Sequence, residues 1–138
     1  MFLGALGAVL IADQLTKAVV GRLLAPGQVL PARGLGARSP VRLRHVAHHR
    51  LAAGRIVIVV SLVPMIAGTG FLAASRLGTA GLVQIGLGLA VGGAIGNAID
   101  LLRGRPVIDF VDLRVWPVFN LADAAISCGI VLTLWGLR

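Results

Sequence analysis

The chain has 138 residues, 57% of them hydrophobic and 13% charged, with a mean hydropathy of +0.94. A soluble domain of this size needs far more polar surface, so the composition points to an integral membrane protein, and one compact bundle fits the length. The net charge of +8 comes from 13 basic against 5 acidic residues; without a soluble module to carry a nucleic-acid patch, the basic excess reads as contact with membrane lipids and not with nucleic acid.

Four segments are long and apolar enough to cross a bilayer as helices, which takes about 20 residues each. The first covers residues 2–24. It has no basic leader and contains Asp13 and Lys17, so it reads as a retained helix and not a signal peptide. Asp13 and Lys17 are four apart, with the acid first. That is the favourable order for an ion pair on one helix face, directed either at the bundle interior or at a substrate.

Residues 25–54 form the longest loop. Pro26, Gly27, Pro31, Gly34, Gly36 and Pro40 break any helix at its start. Val41-Arg42-Leu43-Arg44-His45-Val46 then alternates apolar and basic residues, as a half-buried strand does. His45, His48 and His49 invite a metal reading, but the chain contains no Glu, which excludes the zinc-protease helix motif. The second span covers residues 56–74, flanked by Arg55 and Arg76. A short turn at 75–78 makes the second and third helices an antiparallel pair. The third span, residues 77–99, carries Gly88, Gly92 and Gly96 at four-residue spacing. Small residues so placed let two backbones approach closely in lipid. The fourth span covers residues 118–137. It contains Cys128, the single cysteine, so no disulfide framework exists.

Four of the five acidic residues, Asp100, Asp109, Asp112 and Asp123, crowd into residues 92–125. A carboxylate at membrane depth costs roughly 2.5–3.5 kcal/mol on insertion scales and belongs in a bundle interior or a wet cavity. Asp109 lies just before the fourth helix, and Asp123 within its first two turns. The connection at 112–117 is short enough to fold Asp109 back beside the helix start. Two carboxylates in one site cannot both ionise cheaply, so one can act as base while the other keeps its proton. Such a pair can activate water and protonate a leaving amine. The bland alternative is that Asp123 caps or pairs structurally and Asp109 is solvated. Asn97 and Asn120 each stand three positions before an Asp, on one helix face with Asp100 and Asp123 respectively, as partners for a carboxylate or a substrate amide. No Gly-x-Ser-x-Gly elbow is present, and no spacing supports a Ser127–Lys17 pair.

The chain resembles the lipoprotein signal peptidases, also called signal peptidase II. The resemblance rests on Asp13-Gln14-Leu15-Thr16-Lys17, Gly96-Asn97-Ala98-Ile99-Asp100, Val107-Ile108-Asp109-Phe110 and Phe119-Asn120-Leu121-Ala122-Asp123, together with the four-span layout. It implies an all-α membrane protein with four transmembrane helices and a small extramembrane β/loop segment after the first. The whole chain, 1–138, would be one membrane-embedded domain, acting as a monomer in the bacterial inner membrane. The implied activity is that of an intramembrane aspartyl protease, cutting signal peptides from diacylglyceryl-modified prolipoproteins just before the lipidated Cys. The family needs no metal or cofactor and is the target of the cyclic peptide globomycin. The catalytic pair maps to Asp109 and Asp123. Asp13, Lys17, Asn97, Asp100 and Asn120 map to supporting or substrate-binding positions.

Two stretches depart from the family pattern. His49-Arg50-Leu51-Ala52-Ala53-Gly54 stands where the family has Asn-x-Gly-Ala-Ala-Phe, and Leu101 replaces an Arg, with Arg103 two positions on. The family places both termini in the cytoplasm, whereas Arg33, Arg38, Arg42, Arg44 and Arg50 in the first large loop and Arg103, Arg105 and Arg114 in the second oppose the positive-inside rule. We follow the family orientation, because the site ties these loops to the substrate side. The alternatives are a divergent member with an altered substrate or lost proteolysis, and a small non-enzymatic membrane protein whose acids line a polar or ion path.

Overall fold

The computed structural model describes residues 1–25, 27–31, 42–48, 68, 70, 81–103 and 107–138. The elements run α1 (Phe2–Leu23), β1 (Val29–Pro31), β2 (Arg42–His48), α2 (Gly81–Leu102), β3 (Val107–Asp112) and α3 (Leu121–Gly136). The fold is mostly helical. α1 and α2 are each long and apolar enough to cross a membrane, and α3 is a shorter apolar helix. The expected second span at 56–74, apart from residues 68 and 70, lies outside the described residues, as do the altered stretch at 49–54 and the turn at 75–78.

α2 is the central helix. A Cβ added to Gly88 would stand 2.5 Å from the carbonyl oxygen of Phe2, and one on Gly92 would stand 2.7 Å from that of Leu6. The glycine stripe therefore lets the α1 backbone lie directly against α2, as the four-residue spacing predicts. The neighbouring face of α2 does the same for α3: a Cβ on Gly93 would stand 2.5 Å from the carbonyl oxygen of Ala122. α3 reciprocates with Gly129, whose Cβ would stand 2.5 Å from the carbonyl oxygen of Gly86. α1 lies parallel to α2, and α3 antiparallel to it, so the C-terminal halves of α1 and α2 meet the start of α3.

Over that end lies a three-stranded antiparallel sheet in the order β1-β2-β3. The β2–β3 register shifts between Leu43 and Val46, so β2 carries one extra residue beside Phe110. Such bulges re-aim the neighbouring side chains. Phe110 packs with Val20 of α1 and with the helix's C-cap residue Leu24, joined by Ile108, Val111 and Leu121. This apolar plug fastens the sheet to the helices, while the adjacent residue of β3, Asp109, is wholly buried.

Two helix boundaries differ from the expectation. α2 continues to Leu102, past the expected end at 99, because no breaker intervenes before Gly104. α3 begins at Leu121 instead of 118. Pro117 has no N–H to give, and Phe119 is held extended by its bridge to Val111.

Candidate active site

The segment 113–118 is a tight excursion closed at its base. Val111 N–H donates to the Phe119 carbonyl at 2.8 Å, and Phe119 N–H donates back at 3.1 Å. Arg114 takes a left-handed conformation, φ 62°, and its N–H donates to the Asp112 carboxylate at 2.8 Å. This closure returns the chain so that Asn120 faces Asp109.

Asn120 is the N-cap of α3 and forms a capping box with Asp123. Asp123 N–H donates to Asn120 Oδ1 at 3.0 Å, and Asn120 N–H donates to Asp123 Oδ2 at 3.3 Å. The Asn120 side-chain amide donates to Asp109 Oδ1 at 2.8 Å and to Asn97 Oδ1 at 3.2 Å. Asn97 in turn donates to Asp123 Oδ1 at 2.9 Å. Asp109 and Asp123 are thus both bonded to Asn120, one through its side chain and the other through its backbone.

A second cluster continues from Asn97. Lys17 Nζ donates to Asp13 Oδ2 at 2.7 Å, Asp100 Oδ2 at 2.7 Å and Asn97 Oδ1 at 2.9 Å. Asp13 Oδ1 accepts the backbone N–H of Ala122 at 3.0 Å, joining α1 directly to the start of α3. Gln14 donates to Asp13, Asp100 and the Gly96 carbonyl, each at 3.3 Å. A Cβ on Gly96 would stand 2.8 Å from the Asp13 carboxylate, so the last glycine of the stripe makes room for a charge and not only for a backbone.

All seven residues singled out from the sequence therefore lie in one connected network. Asp13, Lys17, Asn97, Asp100, Asp109 and Asn120 are buried. Asp123 is half-buried and lines a cleft of about 340 Å³ with Leu113, Trp116, Phe119, Ala124, Ser127 and Cys128. Asn120 does not share a helical face with Asp123, because it lies outside the helix as its cap. Ser127 donates to the Asp123 carbonyl at 3.0 Å, far from any role with Lys17. Arg103 reaches Gln14 Oε1 at 3.4 Å from the exposed rim. Sequence reasoning missed Gln14 as a hub and Asp13 as a cap for α3. Among the described residues no group of three His, Cys, Asp or Glu could hold a metal ion. The side chains of His45 and His48 lie outside the description.

A family model described as Signal peptidase (SPase) II matches residues 5–137. The chain belongs to the signal peptidase II family. It is 37% identical over 138 residues to a lipoprotein signal peptidase of Moorella thermoacetica, covering 94% of this chain and 87% of the relative. It is 36% identical over 137 residues to one of Pelotomaculum thermopropionicum, covering 96% and 88%. A bacterial membrane enzyme solved by the in meso method at 1.9 Å resolution superposes with a TM-score of 0.81 at 21% identity, covering 99% of this chain and 91% of that one. The last likeness speaks to the fold, which this signal peptidase II family member shares with a membrane enzyme.

Proposed function

We propose that this chain is an intramembrane aspartyl endopeptidase that removes signal peptides from diacylglyceryl-modified prolipoproteins. The observation that carries the reading is the convergence of the Asp109 and Asp123 carboxylates on Asn120. Family membership supports the substrate class, because the relatives are lipoprotein signal peptidases.

Substrate enters through the cleft whose wall includes Asp123; Asp109 lies behind it. The chemistry needs one carboxylate of the pair ionised and the other protonated. The ionised carboxylate takes a proton from water as the water oxygen adds to the scissile carbonyl carbon. The protonated partner gives its proton to the carbonyl oxygen. On collapse the C–N bond breaks: the carboxyl that took the water proton gives it to the leaving amine, and the other carboxylate takes a hydroxyl proton from the intermediate, which restores the pair. Of the two roles open to Asp13, Lys17, Asn97, Asp100 and Asn120, burial and mutual hydrogen bonding support positioning over direct substrate contact. The enzyme crosses the inner membrane four times as a single-domain monomer, with the sheet on the substrate side.

The test uses purified full-length protein and a lipid-modified lipobox peptide. Cleavage just before the lipidated Cys, abolished by Asp109→Asn and by Asp123→Asn, is the expected result. Full activity after Asp123→Asn would end the aspartyl assignment. An inert wild-type chain would end the substrate assignment.

A further inference from the structure

α3 is too short to cross a bilayer alone. Its 16 residues rise about 24 Å, against a hydrocarbon core of about 30 Å. α1 and α2 have 22 residues each, which gives about 33 Å. Ala122, at the start of α3, touches both neighbouring helices: its N–H is held by Asp13 and its carbonyl faces Gly93. From Asp13, α1 continues about 15 Å to Leu23, and from Gly93, α2 continues about 13 Å to Leu102. These continuations end beside exposed arginines, Arg22 and Arg103. In the opposite direction α3 runs about 20 Å from Ala122 to Trp135. The start of α3, with its acids, is therefore recessed.

Each end of this crossing carries an exposed indole with an arginine nearby. Trp135 is 65% exposed, with the Arg138 guanidinium 5.4 Å from its ring centroid. Trp116 is 67% exposed, two residues from the exposed Arg114. Indoles favour the headgroup level, being apolar with one polar edge, and arginines beside them snorkel outward. The four steps from Trp116 to Asn120 span at most about 13 Å at strand rise. Non-helical backbone at that depth must be satisfied by protein. Phe119 meets this requirement: its N–H bonds Val111, and its carbonyl accepts from Val111 and Phe110. Pro117 has no N–H to satisfy, and Asn120 N–H bonds Asp123.

We propose that Trp116 with Arg114, and Trp135 with Arg138, are the two bilayer-interface anchors of α3, holding the start of that helix, and the acid pair with it, recessed beneath the sheet-side membrane surface. This rests on the membrane-spanning placement proposed above and not on the cleavage chemistry.

The sequence suits the test, having two Trp, no Tyr and one Cys. Full-length Trp116→Phe and Trp135→Phe, each with one remaining indole, are reconstituted in phosphatidylcholine vesicles containing lipids brominated at different chain depths. Bromines nearest the headgroup quench each indole most. A nitroxide is then placed through Leu15→Cys with Cys128→Ser. Leu15 is 60% exposed, outside the site network, and about 12 Å below the end of α1. Its label collides more with oxygen than with a water-soluble nickel chelate. The proposal is overturned if the Trp116 indole is quenched by aqueous iodide and by no brominated lipid, if it is quenched best by chain-end bromines, or if the Leu15 label favours the nickel chelate. Cleavage is assayed separately on the unsubstituted full-length chain in phosphatidylcholine vesicles, because Trp116 and Cys128 line the cleft beside Asp123. Failed depths with intact cleavage sink the anchors alone, and correct depths without cleavage sink the protease reading alone.

Discussion

Lys17→Met tests whether one buried charge holds the three helices together. Lys17 is the chain's single lysine, 5% exposed, and its ammonium donates to Asp13, Asp100 and Asn97 within 2.9 Å. Met keeps the length and apolar stem but removes the charge and all three donors. Two buried carboxylates then lose their counter-ion. Removing one partner of a buried pair costs about 3–5 kcal/mol, or about two to three and a half powers of ten in the unfolding equilibrium. The companion variant, Asp13→Asn with Lys17→Met and Asp100→Asn, removes every charge of the cluster. The amide at position 13 still accepts from Ala122 N–H. That variant recovers to within about 1 kcal/mol of the parent, since replacing a whole buried ion cluster is often near neutral. Reversible unfolding in mixed micelles, followed by far-UV circular dichroism, measures both. A triple variant as unstable as the single one, or a single variant costing under about 1 kcal/mol, would refute the reasoning.

Asp109→Asn keeps an acceptor for the Asn120 amide, so its stability stays within about 1 kcal/mol of the parent while cleavage falls by about 10²–10⁴ or more, read by single-turnover assay. Gly93→Val pushes α3 away from α2, because even a Cβ there meets the Ala122 carbonyl at 2.5 Å; it lowers stability by about 1–3 kcal/mol or more in the same unfolding assay. Gly4→Ala, where a Cβ meets nothing within 4 Å, is neutral or stabilising by up to about 1 kcal/mol. Arg103→Gln removes only a rim hydrogen bond of 3.4 Å and changes stability by less than about 0.5 kcal/mol. Unchanged KM accompanies it, whereas a raised KM assigns Arg103 the contact that Leu101 cannot make.

The helical packing was legible because its signals are local. Gly88, Gly92 and Gly96 announce a backbone-to-backbone face by spacing alone, and Asp13 with Lys17 announces a pair on one turn. The return of Asp109 toward α3 followed from the shortness of the 112–117 connection. The contact between Asp13 and Ala122 had no such signal, since it joins residues far apart in the chain through a backbone donor that any sequence supplies. The Asn120–Asp123 spacing was legible as a capping box, in which a short polar residue precedes an acid by three. Reading both residues as helical set the start of α3 three residues too early. The sequence reads Val107-Ile108-Asp109-Phe110 as part of a loop, whereas it lies in strand β3; a carboxylate buried in a strand is acceptable only with polar partners, and Asn120 supplies one to Asp109.

The Asp13 carboxylate on the Ala122 N–H also fixes an order of events during synthesis. Asp123 and its cap residue Asn120 come with α3, the last of the described helices to leave the ribosome. Until that helix docks, the earlier described helices hold the Lys17 cluster but lack Asn120, which joins Asp109 to Asp123. On the protease reading proposed above, a nascent copy cannot cut neighbouring precursors before that helix docks.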